Sequence, residues 1–294
     1  MKILICSDGM PAIDNAIRLT ASLARATTAE TTLLGIAEKS IDEAPLREAL
    51  NAEAEFLRGE GVAPEIVLQS GEPVRQILEQ TSKAKYDLVI IGSRRTTTSG
   101  LYWRTEKTYE VIKLISPPVL VAIGDCSELK RLLVCTGGRE YIDDAVKLTG
   151  KFAAALGASI TLLHVMAEPP VLYADLVALE EDVDLLLESG SELGRNLTNE
   201  RKQLEALGVS VTVRVRHGNL VDQVFAEARE GNNDMIVTGS SRARGAFTHY
   251  IMGDVTRQIV NRADCPVLVA RSTTARSTNF WGRLRNVFAP ARPA

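Results

Sequence analysis

The chain has 294 residues, 45% of them hydrophobic and 24% charged, with a net charge of −3. That length accommodates about two domains, and the charge balance leaves no overall electrostatic footprint for nucleic acid. No apolar run approaches the roughly 18 to 20 residues of a membrane span. The opening run Met1-Lys2-Ile3-Leu4-Ile5-Cys6 stops at Ser7-Asp8-Gly9, too soon for the apolar core of a signal peptide. It reads as a first strand, and the protein as cytoplasmic.

In chain order, strands are expected at Lys2–Ser7, Thr31–Ile36, Glu65–Gln69, Asp87–Gly92 and Pro118–Ala122. A second series follows at Leu132–Thr136, Ser159–Val165, Ser210–Arg216, Asp234–Gly239 and Pro266–Arg271. The runs at Asp234–Gly239 and Pro266–Ala270 are apolar without polar alternation, as in parallel strands buried on both faces. Helical stretches separate the strands, which implies an α/β fold: five-stranded parallel sheets with helices on both faces.

The two series are copies of one unit. Ile3–Gly9 matches Leu132–Gly138 at an offset of 129, and Ile13–Leu19 matches Ile142–Leu148 at the same offset. Asp87–Ser93 matches Asp234–Ser240 at 147, and Pro118–Ala122 matches Pro266–Ala270 at 148. Fixed offsets over several elements indicate duplication. The expected division is residues 1–125, residues 129–271 and a tail over 272–294, with the boundary in the polar stretch Gly124–Lys130.

The second copy carries 18 extra residues before its third strand, between Ala167 and Leu207. Val183, Leu186, Leu193 and Leu197 lie there at near-helical spacing, which fits one long amphipathic helix or a broken pair. Glu180, Glu181, Asp182 and Asp184 suit the start of such a helix. The tail contains Arg276, Arg283, Arg285 and Arg292 and no acidic residue. Phe280, Leu284, Val287 and Phe288 share one helical face there. A basic amphipathic segment of this kind suits an anionic membrane surface, a protein partner or its own domain.

Cys6, Cys126, Cys135 and Cys265 form no CxxC pair, and His164, His217 and His249 are scattered. No zinc site or disulfide framework is expected, and Cys6 and Cys135 read as small core residues. There is no GxxxxGK[ST], no GxGxxG after a strand and no GxSxG elbow. A catalytic base or nucleophile cannot be assigned, and no enzyme activity is expected.

The stretch from Asp234 to Arg271 holds the main candidate site. A strand ending at Gly239 leads into Ser240-Ser241-Arg242-Ala243-Arg244-Gly245, then a helix from Gly253 and the strand Pro266–Arg271. Glycines at 239, 245 and 253 allow backbone N–H groups to approach an anion closely, and a helix start at Gly253 attracts negative charge. The same spacing also fits an ordinary strand-to-helix surface loop.

Gly239, the loop, Gly253 and Cys265-Pro266-Val267-Leu268-Val269 resemble the carboxy-terminal signature of the universal stress protein family, Gly-x2-Gly-x9-Gly-Ser/Thr. The resemblance implies two tandem flavodoxin-like (adenine nucleotide alpha hydrolase-like) domains. It further implies pairing of the fifth strands, Val119–Val121 with Val267–Val269, within one chain. A further homodimer and protein partners in a stress response also follow from it. The family's nucleotide, ATP or AMP with Mg²⁺, would meet Gly239, Ser240, Arg242, Gly245 and Gly253 in the second copy. Asp8 matches the aspartate that contacts the nucleoside, in the first copy. Several positions depart from the pattern. Arg242 replaces the second glycine, ten residues separate it from Gly253, and Asp254 replaces Ser/Thr. Gly137 stands where Asp8 stands in the first copy, and Thr105-Glu106 where Gly253-Asp254 stand in the second. These departures leave open a nucleotide-independent interaction protein of the same fold.

Overall fold

The uninterrupted apolar runs lie where both faces of a strand are covered: Ile3, Leu4 and Ile5, like Leu132, Leu133 and Val134, are fully buried. The computed structural model describes residues 1–9, 15–39, 43–92, 101–126, 129–137, 143–167, 183–242, 250–251 and 253–271. The first half contains β1 (Lys2–Ser7), α1 (Asn15–Thr27), β2 (Glu30–Ala37), α2 (Glu43–Gly59), β3 (Pro64–Ser70), α3 (Pro73–Lys83), β4 (Leu88–Gly92), α4 (Leu101–Leu114) and β5 (Val119–Ala122). The second contains β6 (Arg131–Thr136), α5 (Asp143–Leu156), β7 (Ser159–Met166), α6 (Val183–Glu188), α7 (Glu192–Glu205) and β8 (Val211–His217). It continues with α8 (Leu220–Glu230), β9 (Met235–Arg242), β10 (Tyr250–Ile251), α9 (Asp254–Arg262) and β11 (Val267–Arg271).

Ten strands form one sheet in the order β3-β2-β1-β4-β5-β11-β9-β6-β7-β8. Pairing is parallel within each half. The halves meet through β5 and β11, which run antiparallel with Leu120 opposite Leu268. The fifth strands thus pair inside one chain, as the resemblance implies. Because that junction is antiparallel, the carboxyl ends of the two sets of strands open at opposite edges of the sheet.

Each face of the sheet is covered by one continuous apolar layer that crosses the junction. One layer joins Ile17, Leu50, Phe152 and Leu197, and the other joins Val74, Ile77, Val224 and Ile259. At ~1.5–3 kcal/mol per fully buried large apolar side chain, these shared layers hold the halves together. Polar links reinforce them. The Tyr109 hydroxyl donates to the Arg257 carbonyl at 3.2 Å and meets the Asn261 side chain, while the Arg257 guanidinium stacks 5.3 Å from the Tyr109 ring. Arg271, 3% exposed, donates to the carbonyls of Pro117 at 3.1 Å and Ile115 at 3.2 Å, and to that of Ile112. A guanidinium suits this place, since the last carbonyls of a helix lack partners and carry partial negative charge. Gly124 in the linker has φ +65°, and a Cβ there would lie 1.8 Å from the Asp264 carbonyl oxygen. Only glycine permits that approach.

Two expectations are sharpened. The inserted region of the second copy is a broken pair, α6 and α7, with Ser191 capping α7 by accepting the Gly194 N–H at 3.0 Å. Glu180, Glu181, Asp182 and the tail lie outside the described residues. The segment after Gly239 is not an immediate loop. β9 continues to Arg242 and folds back on β10, with Arg242 opposite Tyr250 and Ser241 opposite Ile251. This hairpin packs against α4 of the first half. Among the described residues no helix is long and apolar enough to cross a membrane.

Candidate functional site

In the second half the site is built where β9 hands over to α9. Thr256, in the first turn of α9, is 3% exposed. Its hydroxyl donates to the Gly239 carbonyl at 3.1 Å and lies 3.3 Å from the Thr238 hydroxyl. These contacts hold the start of the helix beside the end of the strand. Gly253 is the N-cap, with φ −61° and ψ 157° and no side-chain capping bond. By contrast, α3, α7 and α8 begin with side-chain caps from Glu72, Ser191 and Asn219. The first-turn N–H groups of α9 therefore receive no side-chain acceptor from the cap, the arrangement that attracts an anion.

Among the described residues, Gly239 and Gly253 meet no packing demand for glycine. Neither Gly239 nor Gly253 has positive φ, and a Cβ built on either would meet nothing within 4 Å among the described residues. Any residue would fit the backbone there. What glycine provides is clearance for a group arriving from outside. Exposed Asp254 adds a carboxylate to the first turn. A Cβ at Gly137, after β6, would likewise meet nothing within 4 Å among the described residues.

The remaining predicted residues are distributed as follows. Ser240 lies in β9, opposite Arg271, and Arg242 lies at the end of β9 in the hairpin rather than in a phosphate-cradling loop. The cause is the antiparallel pairing with β10, which extends the strand past Gly239. Gly245 lies outside the described residues. Asp8 follows β1 and is exposed, in the first half. β4, β5 and β11 separate β1 from β9, about 19 Å at ordinary strand spacing, and the two strands end at opposite sheet edges. Asp8 and Gly253 therefore belong to different sites.

The first half lacks the corresponding helix start. α4 begins at Leu101 and runs through Thr105 and Glu106, the positions equivalent to Gly253 and Asp254. Five additional residues displace its N-terminus by about 7.5 Å along the helix axis.

Two buried pairs were missed by sequence reasoning. Ser7, at the end of β1, donates to Glu53 Oε1 at 2.7 Å and accepts the Gly9 N–H at 3.0 Å. This relay sets the turn that carries Asp8. In the second half Thr136 donates to Glu200 Oε1 at 3.1 Å. Glu53 and Glu200 are 5% and 4% exposed. The available signal was the repeat itself: the glutamates stand 147 positions apart, on matching helices α2 and α7. Beside Thr136, the His164 ring places Nδ1 3.0 Å from the Thr136 carbonyl. Burial lowers the pKa of His164 below the usual value of 6.5, the bond to Thr136 raises it, and His217 lowers it further. Burial pushes the Cys6 and Cys135 thiols up to about 12, so neither is a thiolate at neutral pH.

Comparison with known proteins identifies one family. A sequence model of the Universal stress protein family matches residues 1–122 and 128–271. The universal stress protein of Methanothermobacter thermautotrophicus is 24% identical over 143 residues, 49% of this chain and 96% of that protein. One from Mycolicibacterium smegmatis is 27% identical over 213 residues, 68% of this chain and 66% of that protein. The crystal structure of a universal stress protein from Archaeoglobus fulgidus matches with a TM-score of 0.65 at 18% identity, covering 92% of this chain and 98% of that one. At this identity the structural likeness is one of fold.

Proposed function

This chain belongs to the universal stress protein family, and on that premise we propose that it is a stress-response adaptor that takes ATP or AMP in its second domain. We divide it into domains over residues 1–125 and 129–271 and a basic amphipathic tail over 272–294. The phosphates would meet the N–H groups at the start of α9, with Gly239 and Gly253 giving clearance and Ser240, Arg242 and Gly245 on the surrounding segment. Mg²⁺ would accompany a polyphosphate. The observation that carries this reading is the helix start at Gly253, which has no side-chain cap and where, among the described residues, neither packing nor φ calls for glycine. The first domain, whose helix starts earlier, would contribute through Asp8 only weakly. Protein partners, in the cytoplasm, would read the nucleotide state, and a homodimer would have to use a surface other than the fifth strands.

Titration calorimetry with ATP, AMP and cyclic AMP plus Mg²⁺ tests this, beside Gly253→Val. A side chain at 253 meets nothing among the described residues, so stability should change by no more than about 1 kcal/mol. Binding should weaken by at least about tenfold, the equivalent of one lost hydrogen bond to a charged group. Unchanged binding in the variant would move the nucleotide elsewhere. The second reading, a nucleotide-independent interaction protein, is favoured by Asp254 in the first turn and by Gly137 in place of an aspartate. No binding at millimolar nucleotide would establish it.

A further inference from the structure

At the amino ends of β9 and β11, opposite the end that carries Gly239, a crevice of about 650 Å³ opens between the last turns of α8 and α9. Phe225, Arg229, Asn233, Arg262, Asp264 and Cys265 are among its walls. The first domain indicates what this space accommodates. Asp87 accepts the Lys2 N–H at 2.8 Å, and Asp234 accepts those of Lys130 and Arg131 at 2.8 Å, so the two aspartates are equivalent. The residue before each is Tyr86 in the first domain and Asn233 in the second. Tyr86 is 5% exposed, lies 5.4 Å beneath the Lys2 ammonium and accepts a hydrogen bond from Gln80 at 2.9 Å. Asn233 is shorter and is turned to α8, donating to the Glu227 carbonyl at 3.1 Å. Leu114, packed on the core of the first domain, is replaced by Arg262. The second domain has thus exchanged a phenol and an apolar wall for an open crevice with amide and guanidinium walls.

We propose that this crevice binds a small planar aromatic acid. The ring takes the volume that Tyr86 fills in the first domain, against Phe225 and the Arg262 guanidinium, which already stacks 5.0 Å from the Phe225 ring. The carboxylate is met by exposed Arg229. Arg262 also pairs with Asp222 at 3.1 Å, but both side chains are more than half exposed, so that pair is weakly held. Asp264 is the one carboxylate among the lining residues, against two guanidiniums. The Cys265 thiol is pushed up to about 12, chiefly by burial and then by Asp264 and Asp234, and adds no negative charge.

The test is calorimetric titration of the full chain with 4-hydroxyphenylacetate, 4-cresol and acetate, repeated on Asn233→Tyr and Arg229→Ala. The aromatic acid should saturate. Cresol should bind about tenfold more weakly and acetate not at all, since one lacks the charge and the other the ring. Asn233→Tyr should abolish binding by restoring the phenol, and Arg229→Ala should weaken it about tenfold. No saturable heat from the acid at about 10 mM, a Kd scale that any specific small site should reach, overturns the proposal. Equal binding of acid and acetate, or unchanged binding in the variants, also overturns it. If Asn233→Tyr fails to fold, exposed Arg229→Ala and the cresol comparison still decide.

Discussion

The two domains share every strand pairing within their five-stranded sheets and differ where the fourth strand passes to the last helix. In the second, the helix begins after Gly253 and has an N-terminus without a side-chain cap beside Gly239. In the first, the helix runs on through Thr105 and Glu106 to Leu101. The lesson is one of constraint. The central strands β4, β5, β6 and β11 are buried on both faces along most of their length, so a change in them opens a void or strands a polar group. The helix start at the Gly239 edge includes Gly253, which packs against nothing among the described residues, and after duplication such positions are free to drift. The opposite edge shows the same freedom, with Tyr86 filling what Asn233 leaves open.

The largest test of this comparison concerns the junction. Arg271 binds three carbonyls around the end of α4, and Ile123 stands at its equivalent in the first domain. Arg271→Ala should cost about 3 kcal/mol or more, because buried carbonyls are left without donors. Urea unfolding measures it, and an unchanged midpoint would mean the shared apolar layers alone hold the halves. A smaller effect should be equal in the two domains. Ser7→Ala and Thr136→Val each remove the hydroxyl that binds a buried glutamate, for about 1–3 kcal/mol each. If one of the two were near zero, the pairs would not be equivalent.

The smallest test separates the domains by pH. The first domain has Gly35 where the second has His164, as the strand registers show: Ser7 faces Gly35 and Thr136 faces His164. Burial holds the folded pKa of His164 below 6.5, so the unfolded chain takes up the proton first. The stability contribution is complete above pH 6.5 and is lost as pH falls through the lowered folded value. Tm measured against pH should decline in that window for the native chain and decline less for His164→Gln. Identical slopes would show that the histidine is not the titrating group.

The strand positions, the duplication and the α/β class were legible because each rests on local or repeated pattern. Burial on both faces requires unbroken apolar runs such as Val89–Ile91 and Met235–Val237, and duplication requires constant offsets. Their boundaries agree with the strands to within a residue or two, apart from β9. What required the third dimension depends on residues far apart in the chain. Whether the run after Gly239 loops or pairs depended on Tyr250 and Ile251 lying back against it. The Ser7–Glu53 contact joins positions 46 apart, and the Arg271 contacts span more than 150. Asp8 and Gly253 already fall in different copies of the repeat, but that they open at opposite edges of the sheet was decided by topology, the antiparallel junction of β5 with β11. No local pattern encodes that junction, because its energy comes from apolar layers assembled from both domains at once.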